Sequence, residues 1–336
     1  MTVDRTLLQE RLINVIRRFP ERKVLVVGDS VADQFLYGAI SRVSREAPVF
    51  ILRHEHTETV PGGAANCAMN LASLGASVAL VSVAGEDEAG RALLAELNRA
   101  GVDCSGVLSP NNLQTTRKVR ILAGRHHSTR QQVIRIDYEG QPLSDFRLRR
   151  QLHEQAERLA GVADAVIISD YNYGVASPGI VSTLRELANA RGIPILVDSR
   201  FQLSSYERFT SATPNEEEFE TLLGKALTDG ELDSVGGEMR ERLDYRALLV
   251  TRGGRGMSLF EEGVAPLHID AVGAREPVDG TGAGDTVMAT YTLALASDAS
   301  FPDAARLANY AGGLVVMKRG TASVSSEELT DSILKS

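Results

Sequence analysis

The sequence has few cysteines, no excess of positive charge and no long apolar run, and each absence argues against a class of protein. Its two cysteines, Cys67 and Cys104, lie far apart and give no disulfide framework, which favours a reducing compartment. With 44 acidic against 36 basic residues, the formal net charge of −8 argues against a surface that coats nucleic acid. No stretch approaches the roughly 20 apolar residues that a membrane span needs. We therefore expect a cytoplasmic protein with no nucleic-acid partner and no membrane partner.

Two familiar nucleotide-binding motifs are also missing. There is no Gly-x-x-x-x-Gly-Lys-Ser/Thr, which excludes a P-loop protein. Residues 27–31 lack the second and third glycines of the dinucleotide fingerprint, which disfavours a Rossmann oxidoreductase. The first 19 residues carry charges between their apolar positions, so they predict an amphipathic helix instead of a signal peptide.

What the sequence does contain is an alternation of strands and helices. The continuous apolar run at 23–28 is typical of a strand buried on both faces of a parallel sheet, and from residue 144 onward helices and strands alternate regularly. This order indicates an α/β fold in three layers with a mostly parallel central sheet. Two polar segments near 35–60 and 113–137 predict a small β-sheet lid. Because there is no internal repeat or long linker, we predict a single domain over residues 1–336.

Residues 278–285 read Val-Asp-Gly-Thr-Gly-Ala-Gly-Asp and precede an almost uncharged helical run. A glycine loop that opens a buried helix leaves unpaired backbone N–H groups at the positive end of the helix dipole, and such groups bind anions. Asp285 stands at the mouth of this site. A carboxylate is unfavourable beside a phosphate, so we interpret Asp285 as a group that handles a proton. The alternative is a tight turn before a core helix, with Asp285 as an ordinary first-turn acid.

This loop and a second motif together resemble a known family. Asp279-Gly-Thr-Gly-Ala-Gly-Asp285 is similar to one signature of the PfkB/ribokinase-like carbohydrate kinases, and Gly62-Gly-Ala-Ala-Asn66 is similar to the other. The resemblance covers nearly the whole chain. It implies a ribokinase-like fold and an ATP-dependent kinase that phosphorylates a sugar.

Further motifs resemble the heptose-phosphate kinases of lipopolysaccharide precursor synthesis. They are Val26-Val-Gly-Asp29-x-x-x-Asp33, Tyr37-Gly38, Ser41-Arg42-x-Ser44-x-Glu46-Ala47-Pro48-Val49, Thr116-x-Lys118-x-Arg120, Gln131-Gln132-x-x-Arg135-x-Asp137, Ser169-Asp170-Tyr171 and Gly320-Thr321. This resemblance implies D-glycero-β-D-manno-heptose 7-phosphate as the acceptor, phosphorylated at O1 to the 1,7-bisphosphate. Such kinases are often fused to a nucleotidyltransferase, whose His-x-Gly-His motif is absent here, so we expect the stand-alone form.

Two positions depart from the heptose-kinase pattern. Tyr173 and Arg200 stand where that pattern usually has lysine. Arginine keeps the charge but not the point-charge geometry of lysine. The departures leave open a different phosphosugar or altered phosphate contacts, whereas the kinase chemistry is not affected.

The resemblance implies a role for each motif residue. Asp285 would be the general base that takes the proton from the anomeric hydroxyl, and the N–H groups of Gly282, Ala283 and Gly284 would stabilise the transferred phosphoryl. The expected substrate-binding residues are Asp33, Gly62, Gly63, Asn66, Lys118, Arg120, Arg135 and Asp170. The expected ATP-binding residues are Arg200, Asn215, Thr251, Gly253, Gly256 and Asn309. Glu218 would hold Mg²⁺ through water, and a monovalent cation is left open.

Simpler alternatives remain. Asn215 with the three acids after it is also an ordinary helix N-terminus. Arg135 is equally consistent with a solvated lid residue, and the neighbouring Arg117, Arg125 and Arg130 are alternative ligands for the sugar phosphate. For the whole chain, the alternatives are a PfkB kinase for ribose, fructose or a hexose phosphate, and a non-catalytic sugar- or nucleotide-binding regulator. The exposed lid strands also predict a homodimer in which two lids clasp.

Overall fold

The computed structural model describes residues 5–124, 130–228, 230–273 and 277–336. Its strands, in chain order, are β1 (Lys23–Gly28), β2 (Ser30–Val43), β3 (Phe50–Gly63), β4 (Ser77–Val83), β5 (Asp103–Leu108), β6 (Arg117–Gly124), β7 (Gln131–Tyr138), β8 (Ala165–Asp170), β9 (Ile195–Ser199), β10 (Ser211–Ala212), β11 (Ala247–Thr251), β12 (Met257–Glu261) and β13 (Leu267–Ile269). Its α-helices are α1 (Arg5–Ile16), α2 (Ala64–Ser73), α3 (Glu88–Arg99), α4 (Phe146–Ala160), α5 (Pro178–Arg191), α6 (Glu216–Leu223), α7 (Leu232–Arg242), α8 (Ala283–Ala296), α9 (Phe301–Val315) and α10 (Ser326–Lys335).

The main sheet has the strand order β10-β9-β8-β1-β4-β5, and all its pairs are parallel. Alternate residues of β1 enter different apolar clusters: Val24 and Val26 pack on one face, and Leu25 and Val27 on the other. Both faces are therefore covered by helices, with α1, α2, α3, α8, α9 and α10 on one side and α4 to α7 on the other. The predicted three-layer fold with a mostly parallel central sheet is confirmed.

A hairpin extends this sheet at one edge. Strand β11 lies beside β10, where Thr251 forms a parallel bridge with Asn215, and β12 and β13 follow in antiparallel order. The loop between β11 and β12 therefore lies at the same end of the sheet as the start of α6. Four of the residues predicted to contact ATP, namely Asn215, Thr251, Gly253 and Gly256, therefore lie at this end of the sheet.

The small sheet has the order β3-β2-β6-β7. Its β2 starts at Ser30, two residues after β1 ends at Gly28, so the small sheet leaves the carboxyl edge of the central sheet directly. All eight residues of β7 are exposed. The predicted β-sheet lid is thus present, although its β2–β6 pair is parallel while the other pairs are antiparallel.

Three elements were missed by the sequence analysis: β5, α7 and β13. Strand β5 contains Asp103, Ser105 and Gly106, so it has no apolar run to reveal it. Helix α7 contains Gly236 and Gly237, which are poor helix formers. A Cβ at Gly236 would lie 2.4 Å from the ring of Phe260, so a glycine at this position allows the helix to pack on β12. Tertiary packing outweighs local preference here.

Helix α8 is buried over 11 of its 14 residues, as expected for the run that follows the glycine loop. Buried residues on all sides mean that this helix runs through the core, with its first turn facing the carboxyl edge of the sheet. No helix in the described part of the chain is long and apolar enough to cross a membrane.

Candidate active site

Asp285 is the third residue of α8 and only 6% exposed. Its Oδ2 accepts a hydrogen bond from Asn66 Nδ2 at 2.7 Å, and its Oδ1 accepts one from the Tyr171 hydroxyl at 3.1 Å. Each carboxylate oxygen therefore has one donor, which orients the plane of the group. Each oxygen also keeps lone-pair capacity for a further proton.

The surroundings of Asp285 raise its pKa to about 6. Burial is the main cause, and the hydrogen bonds from Asn66 and Tyr171 oppose it by favouring the ionised form. The negative charge of Asp33 raises the pKa further, whereas Arg200 lowers it. A carboxylate with a pKa close to neutrality is suited to accept a proton during a reaction at physiological pH.

The glycine loop and the Gly62–Asn66 motif meet at this carboxylate. Gly282 is the N-cap of α8 with a φ of 76°, and a Cβ there would lie 2.6 Å from Asn66 Nδ2. The Asn66 side chain is held in turn, because Asn70 donates to its Oδ1 and Thr286 donates to Asn70 Oδ1. Two motifs more than 200 residues apart are thus joined by one buried hydrogen-bond network.

On the lid side, Asp33 forms a buried ion pair with Arg120. A Cβ at Gly62 would lie 2.5 Å from Asp33 Oδ2, and one at Gly63, whose φ is 58°, would lie 2.5 Å from the Asp29 carbonyl oxygen. Both glycines are needed because the β3–α2 junction passes directly over these two groups. Arg120, predicted to bind the sugar phosphate, is therefore already neutralised by Asp33.

Lys118 and Arg200 are two cations that lie beside the ring of Tyr171, whose hydroxyl contacts Asp285. Within the residues that the structure describes, neither forms a salt bridge with a carboxylate. Lys118 Nζ lies 5.7 Å and Arg200 Cζ 5.9 Å from the centre of the Tyr171 ring. Burial lowers the pKa of Lys118 and the nearby positive charge of Arg200 lowers it further, whereas the carboxylates of Asp33 and Asp137 oppose the shift. Two like charges held together in this way favour an anionic ligand.

Other predicted substrate ligands have partners within the protein. Asp170 Oδ2 accepts hydrogen bonds from Ser199 and Tyr206, and Asp170 Oδ1 accepts one from the Asn172 amide. Arg135 is exposed and forms an ion pair with Asp137. The exposure of Arg135 agrees with the alternative of a solvated lid residue, whereas the buried contacts of Asp170 were not anticipated. The roles of Asp170 and Arg135 in sugar binding remain predictions.

The alternative arginine ligands for the sugar phosphate are also engaged. The Arg117 guanidinium lies 4.1 Å from the centre of the Tyr138 ring, and Arg130 pairs with Glu55. Arg125 lies outside the described residues.

On the other side of α8 lies a cavity of about 320 Å³. Its lining includes four of the residues predicted to bind ATP: Thr251, Gly253, Gly256 and Asn309. Ala283 and Gly284 from the first turn of α8 complete the wall nearest to Asp285. Asn309 Nδ2 donates to the Asp270 carbonyl oxygen, so that side chain also holds the cavity wall in place. A volume of this size, lined largely by small residues, fits a flat heterocyclic ligand.

The model described as "pfkB family carbohydrate kinase" matches residues 21–328. The chain belongs to this family. It is therefore an ATP-dependent carbohydrate kinase, as its sequence motifs predict.

Two curated relatives of this kinase are both described as bifunctional protein HldE. The protein from Pseudomonas aeruginosa strain UCBPP-PA14 is 42% identical over 313 residues, and that from Pelobacter propionicus is 37% identical over 322 residues. The alignments cover 93% and 95% of this kinase. They cover 64% and 65% of the relatives, so the chain spans a little less than two thirds of the length of these proteins.

Solved structures of the same fold include Arabidopsis thaliana ribokinase complexed with ribose and ATP, with a TM-score of 0.70 and 21% identity. This alignment covers 93% of the kinase and 98% of the ribokinase chain. Escherichia coli phosphofructokinase-2 in complex with potassium has a TM-score of 0.75 and 21% identity, covering 94% and 98% of the two chains. At this level of identity the likeness establishes the ribokinase-like fold alone.

The predicted metal residue of the kinase, Glu218, forms a capping box with Asn215 at the start of α6. The motif therefore forms the helix N-terminus that the simpler alternative describes, and the role of Glu218 in holding Mg²⁺ remains a prediction. No role was predicted for Asp198, which lies near Glu218. Burial is the main cause that raises the pKa of Asp198, and the negative charges of Glu218 and Asp285 raise it further. In the described residues no group of three His, Cys, Asp or Glu side chains is arranged to hold a metal ion directly. Neighbouring carboxylates that repel one another fit a hydrated Mg²⁺, which keeps several of its waters in protein sites.

Sequence reasoning assigned no role to two residues that shape the kinase site, Asp29 and Tyr171. Asp29 is 2% exposed, and its carboxylate accepts hydrogen bonds from the backbone amides of Tyr171, Tyr173 and Val175. It therefore holds the segment that carries Tyr171. The available signal was that both lie at the carboxyl ends of buried parallel strands, where α/β proteins place ligands.

Proposed function

We propose that this kinase transfers the γ-phosphoryl of Mg-ATP to O1 of a sugar phosphate, and that the acceptor is D-glycero-β-D-manno-heptose 7-phosphate. The observation that carries the proposal is the position of Asp285. Its carboxylate lies at the start of α8, with Asp33, Lys118 and the lid on one side and the cavity next to Gly284 on the other. An acceptor hydroxyl and a nucleotide can approach this carboxylate from opposite directions.

Asp285 would take the proton from the O1 hydroxyl as O1 bonds to the γ-phosphorus and the bond from that phosphorus to the ADP oxygen breaks. The N–H groups of Gly282 and Gly284 at the helix N-terminus would stabilise negative charge on the transferred group. The third predicted donor, the Ala283 N–H, instead donates to the Gly280 carbonyl oxygen at 3.2 Å. Phosphoryl transfer depends mainly on positioning and charge neutralisation. The preorganised carboxylate and helix N-terminus meet both requirements.

The charges around Asp285 support an acceptor and a donor that are both anionic. Lys118 lies on β6 of the lid and Arg200 follows β9, so their unpaired charges come from two different sides of the site. Glu218 and Asp198 would hold hydrated Mg²⁺, which when bound neutralises phosphate charge. Two observations support a heptose phosphate as the acceptor. One is the set of motifs that resemble heptose-phosphate kinases, and the other is the sequence identity of 42% and 37% to two proteins described as bifunctional protein HldE.

A substrate panel tests the proposal. Production of ADP is measured with D-glycero-β-D-manno-heptose 7-phosphate, fructose 6-phosphate, ribose and fructose at equal concentrations, with the Asp285→Asn variant as the control for uncoupled ATP hydrolysis. We expect kcat/KM for the heptose phosphate to exceed that for ribose and fructose by at least about 10²-fold, because a site with unpaired cations rejects acceptors that lack the anion. Fructose 6-phosphate carries the anion, so a higher kcat/KM for it than for the heptose phosphate would contradict the heptose assignment. Turnover confined to ribose or fructose would exclude the heptose assignment.

The lid supports the proposed homodimer. Phe50 on β3 and Val133 and Ile134 on β7 are 57%, 52% and 52% exposed. Clasped lids would remove these side chains from water. Light scattering is expected to give twice the monomer mass at micromolar concentration, and a monomer there would refute the dimer. A bound monovalent cation and a cytoplasmic location remain predictions.

A further inference from the structure

The segment that follows β8 places one aromatic side chain at the centre of the site. The Tyr171 hydroxyl donates to Asp285 Oδ1 at 3.1 Å. The ring of the same residue lies within 6 Å of the charged groups of both Lys118 and Arg200, which is the distance range of cation–π contacts. Tyr171 thus touches the proposed base and both unpaired cations.

The backbone of this segment is held rigidly. Asp29 Oδ2 accepts hydrogen bonds from the amides of Tyr171 and Tyr173, and Asp29 Oδ1 accepts one from the amide of Val175, each at 3.0 Å. A Cβ at Gly63 would lie 3.3 Å from the Tyr171 ring, so the ring packs closely on the Gly62–Asn66 motif. The position of the hydroxyl is therefore set by contacts on both the backbone and the ring.

We propose, on the basis that Asp285 is the base proposed above, that Tyr171 is a positioning residue for phosphoryl transfer. Its hydroxyl fixes the Oδ1 side of the Asp285 carboxylate, for which Asn66 fixes the Oδ2 side. With one donor lost, the carboxylate can rotate about its remaining hydrogen bond and no longer presents the same oxygen to the acceptor. The Tyr171 ring also contacts both Lys118 and Arg200, so it fixes the distance between the base and these two cations.

The direct test is Tyr171→Phe, which removes the hydroxyl and keeps the ring and the backbone contacts. We expect kcat to fall by about 10-fold, the size expected for one hydrogen bond to a charged group. KM for ATP and for the sugar phosphate should stay within about twofold, because the ring that supports the cations is still present.

The pH profile of kcat/KM separates positioning from a general structural role. A donor to the carboxylate favours its ionised form, so loss of the donor raises the pKa of Asp285. The base must be ionised to accept a proton, and the acidic limb of the profile is therefore expected to move to higher pH by about half a unit to one unit. ATP and sugar phosphates also titrate near pH 6. The measured quantity is therefore the difference in the midpoint pH of the acidic limb between variant and wild type with the same substrates.

Tyr173→Phe is the matched control. Tyr173 lies in the same segment, donates its amide to the same Asp29, and directs its hydroxyl to Glu139 instead of the base. We expect it to leave the acidic limb and kcat unchanged. If Tyr171→Phe proves unstable in thermal unfolding, replacement of Tyr171 by 3-fluorotyrosine keeps the ring and makes the hydroxyl a stronger donor, and the limb is then expected to move to lower pH.

The outcomes distinguish this inference from the proposed function. In the Asp285→Asn background, Tyr171→Phe is expected to cause no further loss of kcat, because the group it positions is gone. Near-normal turnover of Asp285→Asn alone would overturn the proposed base. The positioning role alone would be overturned if Asp285→Asn is inactive while Tyr171→Phe is folded and has the kcat and the acidic limb of the wild type.

Discussion

Replacing Asp285 with asparagine is expected to lower kcat by about 10²–10⁴-fold while ATP still binds, because a positioned general base contributes a factor of this size. The asparagine is nearly the same size and fills the same site, but its side chain cannot take the proton from the acceptor hydroxyl. ATP binding is measured by isothermal titration calorimetry and turnover by ADP release. A variant with near-normal kcat would show that Asp285 is not the base.

The alternative interpretation, that Asp285 is an ordinary first-turn acid, has a matched control in the same chain. Asp303 lies in the first turn of α9, is 4% exposed, and forms a two-point ion pair with Arg11. Asp303→Asn is expected to lower the melting temperature and leave kcat within about twofold, since it removes an ion pair far from the network around Asn66. The Asp285→Asn variant should not melt earlier than wild type at pH 7, because the ionised carboxylate, with a pKa raised to about 6, is unfavourable in its buried site.

Gly282→Ala is expected to lower kcat by about 10²–10³-fold, the loss seen when one preorganised donor of an anion hole is displaced. The φ of 76° at this position is unfavourable for any residue with a side chain, and the new methyl group would lie 2.6 Å from Asn66 Nδ2. Asn66 must then move, and Asp285 loses its donor on Oδ2. Steady-state kinetics and thermal unfolding measure the two effects.

Gly284→Ala, two residues further along, separates this effect from the general loss of a glycine. A Cβ there meets no atom within 4 Å, the backbone N–H is retained, and alanine is the better helix former. The position faces the cavity of about 320 Å³, so any loss is expected in KM for ATP and not in kcat. Equal losses of kcat in the two variants would contradict the role given to the geometry at Gly282.

Most strands of the central sheet and the α8 helix were predictable because their signals are local, whereas the edge strand β5 has no apolar run. A continuous apolar run such as 23–28 predicts a buried strand, and an uncharged run such as 286–296 predicts a buried helix, without knowledge of the neighbouring elements. Helix α7 was missed for the opposite reason, since Gly236 and Gly237 are poor helix formers and the packing of Gly236 against Phe260 is not visible in the local sequence. The partners of the arginines were equally invisible, because the pairs Asp33–Arg120 and Glu55–Arg130 each join strands that are distant in sequence.

By itself, the sequence determined the α/β class, the family and the identity of the proposed base, because these depend on residue type and on short motifs. Only the tertiary structure decided which charged groups near Asp285 remain available for a ligand. It also brought Tyr171 onto the base and made Asp29 a support for the segment that carries it. The physical reason is that burial and pairing determine whether a charge is free or neutralised, and both depend on contacts between elements that the chain order does not reveal.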